Sequence, residues 1–91
     1  MKFAWDRAKQ QSNLVKHRLD FADAATVFAG ATFTFEDDCY EYNEDRYITL
    51  GMLRGAVVVI AHAEQEGIVR VISMRKATIN EQRVYFEGIA N

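Results

Sequence analysis

Gly67-Ile-Val-Arg-Val-Ile-Ser-Met-Arg-Lys-Ala-Thr-Ile-Asn-Glu-Gln-Arg-Val-Tyr-Phe-Glu87 decides how the chain is read, because it starts as a strand and ends as a helix. Ile68, Val69, Val71 and Ile72 are β-branched, and branching at Cβ suits an extended, pleated backbone. Thr78 and Glu81 have the spacing of a capping box. The hydroxyl can accept from the N–H of residue 81 while the carboxylate reaches back to the N–H of Thr78. Arg75 and Lys76 fall at the junction, beside the unpaired N–H groups of a helix start, and all three kinds of group favour anions. Period-two alternation places Arg70, Ile72, Met74 and Lys76 on one face and Val69, Val71, Ser73 and Arg75 on the other. Arg70 and Lys76 are then expected to share a surface from which Arg75 turns away, unless a bend or bulge intervenes.

Two more strands precede this one. Ala56 to Ala63 is a continuous apolar run ended by His62 and Ala63, and Arg46 to Leu53 leads into it through a tight Arg54–Gly55 turn. Glu64 to Gly67 makes a second turn, so three strands form an antiparallel meander. Thr32-Phe-Thr-Phe35 alternates polar and aromatic residues, which predicts a strand with Phe33 and Phe35 on its buried face. Before it, Asp20 is placed to cap a helix whose Phe21, Ala24, Ala25 and Phe28 recur at i, i+3, i+4 and i+7, with Asp23 in a capping-box role and Gly30 at its C-terminal end. Arg7 to about His17 predicts a first helix capped by Asp6. Its apolar stripe is thin, only Ala8, Leu14 and Val15, so it belongs on the surface of the sheet. Met1 to Trp5 reads as a short strand. The expected order is β-α-α-β-β-β-β-α: an α+β fold with an antiparallel sheet, two N-terminal helices packed on it, and a C-terminal helix docked through Ile79, Val84 and Phe86.

Ninety-one residues predict one domain over 1–91, and a chain of this size buries only roughly 60–65 % of its unfolded surface. No run of 18 apolar residues is present, and Met1-Lys2-Phe3 followed by Asp6 and Arg7 is not a signal peptide. The lone Cys39 has no internal disulfide partner, which fits a reducing, cytoplasmic setting. The net charge of −2 argues against a polyanion partner only until its distribution is considered. Residues 36–45 hold six of the 13 carboxylates and no Lys or Arg, leaving 11 cations against seven carboxylates in the rest of the chain. A polyanion meets the local field, not the mean. The acidic stretch, which also carries Tyr40 and Tyr42, reads as a solvated loop, or as a segment that docks a basic partner or shields the basic face.

A chain that met a phosphodiester polyanion could bind it through cations alone, or cleave it without a metal given a base for the attacking hydroxyl, cations for the pentavalent phosphorane and an acid for the leaving oxygen. Two distant histidines and one Cys lack zinc spacing, and no cofactor motif is present. Arg70, Arg75 and Lys76 are the phosphate candidates, with an ion pair to Glu64, Glu66 or Asp45 as the structural alternative for Arg70. Glu81 is a capping residue first and a candidate base second, because cations beside it lower its pKa. Tyr85, four residues on, either stacks on a base or packs. His62 ends an apolar strand, where a packed residue or a rim contact is the structural alternative to an acid–base role. His17 follows Lys16 at a helix C-terminus, where basic residues suit the helix dipole. Arg46 either faces RNA or pairs with the acidic loop, and Arg83 adds one cation to the last helix.

Three blocks carry a resemblance to a known family. They are Phe3-Ala-Trp5-Asp6 with Lys9, Asn13, Lys16-His17, Phe21 and Ala24-Ala-Thr-Val-Phe28; Arg46-Tyr-Ile-Thr-Leu-Gly51; and Arg70-Val-Ile-Ser-Met-Arg-Lys-Ala77 with Glu81 and Tyr85. Together they resemble BrnT-type toxins, the ribonuclease halves of bacterial type II toxin–antitoxin pairs, with a fold related to RelE. The resemblance implies RNA cleavage, for which the lack of a metal constellation in the sequence makes a metal-free mechanism the more economical reading. It also implies a BrnA-like antitoxin with a ribbon-helix-helix domain, with DNA contacted only through the complex, and no membrane. It supports catalytic roles for Arg70, Arg75, Lys76, His17, Glu81 and Tyr85, and RNA contacts from Arg46 and Lys16; His62 and Arg83 are further RNA-contact candidates outside the matching blocks. The family's last helix is often strongly basic, whereas here Ile79-Asn-Glu-Gln-Arg83 has one Arg, so the long-range pull on RNA is expected to be weaker. The rival is a binding module without catalysis, a co-repressor or scaffold for the antitoxin. A stand-alone RNA-binding protein is a third reading, which the net charge opposes.

Overall fold

The computed structural model describes residues 1–38 and 44–90, so Cys39, Tyr40 and Tyr42 of the acidic stretch lie outside the described residues. The elements are β1 (Lys2–Ala4), α1 (Arg7–His17), a 3-10 turn (Phe21–Asp23), α2 (Ala24–Ala29), β2 (Thr32–Glu36), β3 (Arg46–Leu53), β4 (Ala56–Gln65), β5 (Ile68–Lys76) and α3 (Ile79–Ala90). Five strands form one sheet in the order β1-β5-β4-β3-β2. The sheet is mixed rather than antiparallel throughout: β1 pairs with β5 in parallel, Lys2 to Ala4 against Ile68 to Arg70. α1 and α2 carry the chain from β1 to the opposite edge at β2, and the antiparallel steps through β3 and β4 bring β5 back beside β1 in the same direction.

The two meander turns are each two residues long. Arg54–Gly55 and Glu66–Gly67 all have positive φ, from 46° to 82°, as a type I′ turn requires. β4 is the central strand, and its two faces build two cores. Val58 and Ile60 face α1 and α2 with Phe21, Ala24, Val27, Val71 and Met74. Val57 and Val59 face α3 with Leu50 and Tyr85.

The β4–β5 register shifts between Ala61 and His62, which pair with Ser73 and Val71, leaving Ile72 without a partner on β4. This bulge overturns the expected facing of the cations. Arg70 pairs with Ala63, and Arg75 with Val59. Those partners are four residues apart, so Arg70 and Arg75 share the α3 face, while Lys76, opposite Val58, turns to the other.

The helices dock differently from the expectation. Leu14 and Val15 of α1 are exposed, Val15 by 84 %, because the helix is held by a polar anchor. Buried Asn13 donates its amide to the carbonyls of Leu19 and Met74 at 3.0 and 2.9 Å and accepts from the Met74 N–H at 3.1 Å. Asp20 caps the 3-10 turn through the Ala22 N–H, and Gln10 donates to the same oxygen; these bonds hold its carboxyl below the usual range. Asp23 makes no cap and instead accepts from Arg54. Gly30 is extended, with φ −96°, rather than left-handed. On α3 the inward residues are Tyr85, whose hydroxyl donates to the Ala31 carbonyl at 3.0 Å, and Gly88, packed on the Phe33 ring. Ile79, Val84 and Phe86 are exposed, so the expected docking face is corrected by roughly a third of a helical turn or more.

Candidate functional site

On the α3 side the paired residues form rows across the sheet. One row runs Ala4, Arg70, Ala63, Arg46; the next runs Ser73, Ala61, Ile48, Phe35; the third runs Arg75, Val59, Leu50, Phe33. α3 packs over the Leu50 and Val59 part of this face. The first two rows are a trough whose floor is mostly Ala and Ser and whose walls are arginines. Two strand spacings separate Arg46 from Arg70, about 10 Å between backbones. Both guanidinium groups converge on one carboxylate oxygen, Glu44 Oε1: Arg46 Nη2 lies 3.8 Å away, and Arg70 Nη2 makes a direct hydrogen bond. Glu44, rather than Glu64, Glu66 or Asp45, is therefore the ion-pair partner of Arg70. A cleft of about 320 Å³ adjoins this bridge, between Ala4, Ala63 and Ile68.

Arg75 sits along the same face, about 13 Å from Arg70 by the strand rise. It forms a two-pronged ion pair with Glu81, both bonds 2.7 Å. Glu81 also accepts from the Thr78 N–H at 2.8 Å, and the Thr78 hydroxyl accepts from the Glu81 N–H at 3.2 Å, completing the capping box. The Arg75 hydrogen bonds, followed by the Thr78 N–H, pull the Glu81 carboxyl down to about 2, and the same pair raises Arg75. A carboxylate that holds its charge this firmly is a poor proton acceptor near neutral pH.

The other sequence candidates are dispersed. Tyr85 is buried against Ala31 and the sheet, where no RNA base can stack on it. His62 is fully buried between Phe28 and Tyr47. Its Nε2 is 2.7 Å from the Thr49 hydroxyl, which is 2.7 Å from that of Thr34. Burial lowers its pKa to about 4, so it is a neutral core residue and offers no surface to RNA. Lys76 lies by the β3–β4 turn, in a cleft with Met52 and Phe86. Arg83 is exposed on α3. Lys16 and His17 line a separate cleft between α1 and β5.

Sequence reasoning missed Glu44 as the bridging group, and no spacing rule could have selected it from six carboxylates. It also missed the bulge, although a signal was present. The apolar positions Val69 and Val71 are odd-numbered and Met74 is even, a change of phase that an unbroken strand with one buried face does not make. Among the described residues no group of three or more His, Cys, Asp or Glu side chains is placed to hold a metal ion.

The chain is thus an α+β domain whose Arg46 and Arg70 meet at a carboxylate of its own, Glu44, on the open face of the sheet. The comparison with protein families is more specific: a family model described as ribonuclease toxin, BrnT, of type II toxin–antitoxin system matches residues 5–81, and the chain belongs to this family. No curated protein matches the chain.

Proposed function

We propose that this chain is the ribonuclease of a type II toxin–antitoxin pair and that its arginine trough holds the RNA. The observation that carries the reading is the convergence of Arg46 and Arg70 on a single carboxylate oxygen, on an open sheet face with a small-residue floor. A phosphodiester likewise spreads one negative charge over two oxygens, and arginine forks suit both. In the metal-independent reaction the 2′-hydroxyl attacks the adjacent phosphorus, the 5′-oxygen leaves with a proton, and a 2′,3′-cyclic phosphate remains. Arg46 and Arg70 stabilise the extra negative charge of the phosphorane. Arg75 is held by Glu81 and positions the strand end. Glu81, Tyr85 and His62 are engaged in the fold, so His17 is the candidate for proton transfer. Lys16 is a phosphate contact, and Lys76 and Arg83 are outlying cations. A BrnA-like ribbon-helix-helix antitoxin, a RelE-like fold and a cytoplasmic setting complete the proposal, with DNA reached through the antitoxin alone. No helix among the described residues is long and apolar enough to cross a membrane.

One observation favours the rival, a non-catalytic module that binds the antitoxin: three of the four acid–base candidates are taken up by the structure. The test separates the two. The isolated chain, with EDTA present, is expected to cleave a purified RNA, and Arg46→Ala/Arg70→Ala is expected to lose cleavage with its thermal melt unchanged. Absence of cleavage on free RNA and on translating ribosomes alike would leave the binding module as the better account.

A further inference from the structure

The cleft between α1 and β5 has a volume of about 280 Å³ and is lined by Lys9, Ser12, Lys16, His17 and Ser73, besides Asn13 and Ile72. Lys9, Ser12 and Lys16 fall at i, i+3 and i+7 on one helical face. That face is aimed at β5 because Asn13, between them, is bonded to the backbone of Met74. β1 pairs with β5 only as far as Arg70, so this edge of β5 from Ile72 onward has no strand beside it, and the cleft occupies the space a longer β1 would fill.

Two features distinguish the cleft from an ordinary solvated lysine face. No carboxylate lines it, whereas Glu44 and Glu66 line the cleft at Arg70, and Glu64 and Glu66 line another near Gly67. Among the described residues, the ion pairs involve Arg46, Arg54, His62, Arg70 and Arg75, and neither lysine of the cleft. The cations of the trough are already matched by carboxylates, while those of the cleft are not. Ser73 joins the two places: it sits in the trough's second row opposite Ala61, and it lines the cleft. The negative end of α1 opposes an anion near His17. Two lysines and two hydroxyls outweigh a partial charge that the Arg18 N–H, bonded to the Leu14 carbonyl, already reduces.

We propose that this cleft is a second phosphate site, taking a further phosphodiester of the RNA strand that lies in the arginine trough. The inference rests on the ribonuclease reading and adds Lys9, Ser12 and Ser73 to it. The strand passes over the free edge of β5 at Ser73, which brings its backbone beside His17.

The test measures binding of a fluorescein-labelled, fully 2′-O-methylated single-stranded RNA, which cannot be cleaved, over a series of salt concentrations. Each phosphate neutralised on a single strand contributes about 0.7 to the slope of log K against log salt. Lys9→Ala/Lys16→Ala is expected to lower the slope by about 0.7 relative to wild type, the share of one phosphodiester, and Lys9→Arg/Lys16→Arg to keep it, with both melts unchanged. A slope that stays at the wild-type value in the alanine variant overturns the second site and leaves the ribonuclease reading standing. Failure of the wild type to bind the RNA at any salt concentration also overturns the second site, while the cleavage assay on free RNA and on ribosomes decides the ribonuclease reading separately.

Discussion

Replacing Asn13 with alanine tests what attaches α1 to the sheet. Asn13 makes three hydrogen bonds to backbone, two with Met74 and one with Leu19, and is only 7 % exposed. The pair with Met74 reproduces the donor-and-acceptor pattern of a neighbouring strand, at the edge β1 does not reach. A net hydrogen bond is worth about 1 kcal/mol, and a buried group left unpaired costs more. The adjoining cleft lets water reach some of the freed groups, which limits the excess. The expected loss is therefore about 3 kcal/mol, against a total near 5–14 kcal/mol for a chain of this length. In a domain of this size each kcal/mol moves Tm by about 4–8 °C, so the melt should fall by roughly 12–24 °C. Asn13→Asp supplies the contrast. It keeps the acceptor for the Met74 N–H but sets a carboxylate oxygen against two carbonyls, so it should be at least as unstable as the alanine variant near neutral pH. Urea unfolding followed by circular dichroism gives both values. A loss below about 1 kcal/mol for Asn13→Ala would refute the anchor and return the docking of α1 to its weak apolar stripe.

Three further outcomes follow from the same structure. Glu81→Gln keeps a capping acceptor but removes the charge opposite Arg75; if Glu81 is structural, RNA cleavage at pH 7 should change by only a few-fold, whereas loss of a general base costs about 10² or more. Gly88→Ala places a Cβ 2.3 Å from the Phe33 ring, so α3 must shift and a chemical melt should show about 1–3 kcal/mol of destabilisation. Stability should also depend on pH in two steps. His62 falls from 6.5 unfolded to about 4 folded, so its contribution is complete above pH 6.5 and is lost as pH drops towards 4, about 3 kcal/mol in all. Glu81, lowered from 4.5 to about 2, acts in the window below that. His62→Gln should abolish the upper step, and an unchanged upper step in that variant would assign it elsewhere.

Much of the fold was readable from local chemistry. Branched residues, the Arg54–Gly55 turn and the Asp6 and Thr78 caps each act within a few residues, and the strands and helices stand where those signals put them. What was not readable depends on non-local facts. The parallel pairing of β1 comes from where the four-strand meander ends, after two helices have carried the chain to the far edge, not from Lys2–Ala4 itself. The inward face of α3 was misread because apolar content favoured Ile79, Val84 and Phe86, while the geometry selects Tyr85, which reaches the Ala31 carbonyl, and Gly88, which lets Phe33 approach. For the candidate site, Arg46 and Arg70 could be named but not brought together. Their convergence depends on strand order, and the group between them comes from a stretch whose six carboxylates look alike in sequence.

The bulge at Ile72 sets which face each cation of β5 takes. Arg70 and Arg75 are an odd number of residues apart, so an unbroken strand would send them to opposite faces. One unpaired residue between them changes the phase, and both then rise from the α3 face with Ser73 in the row between. Asn13 grips Met74, two residues past the bulge. It fixes the strand where its phase has just changed, and it fixes α1 there too, with Lys9, Lys16 and His17 turned to the same edge. The cations of the helix and those of the strand are thus positioned relative to one another by a single neutral side chain and a single extra residue. Neither carries charge, so the spacing between the arginines of β5 and the lysines of α1 is set by backbone geometry rather than by the charges themselves.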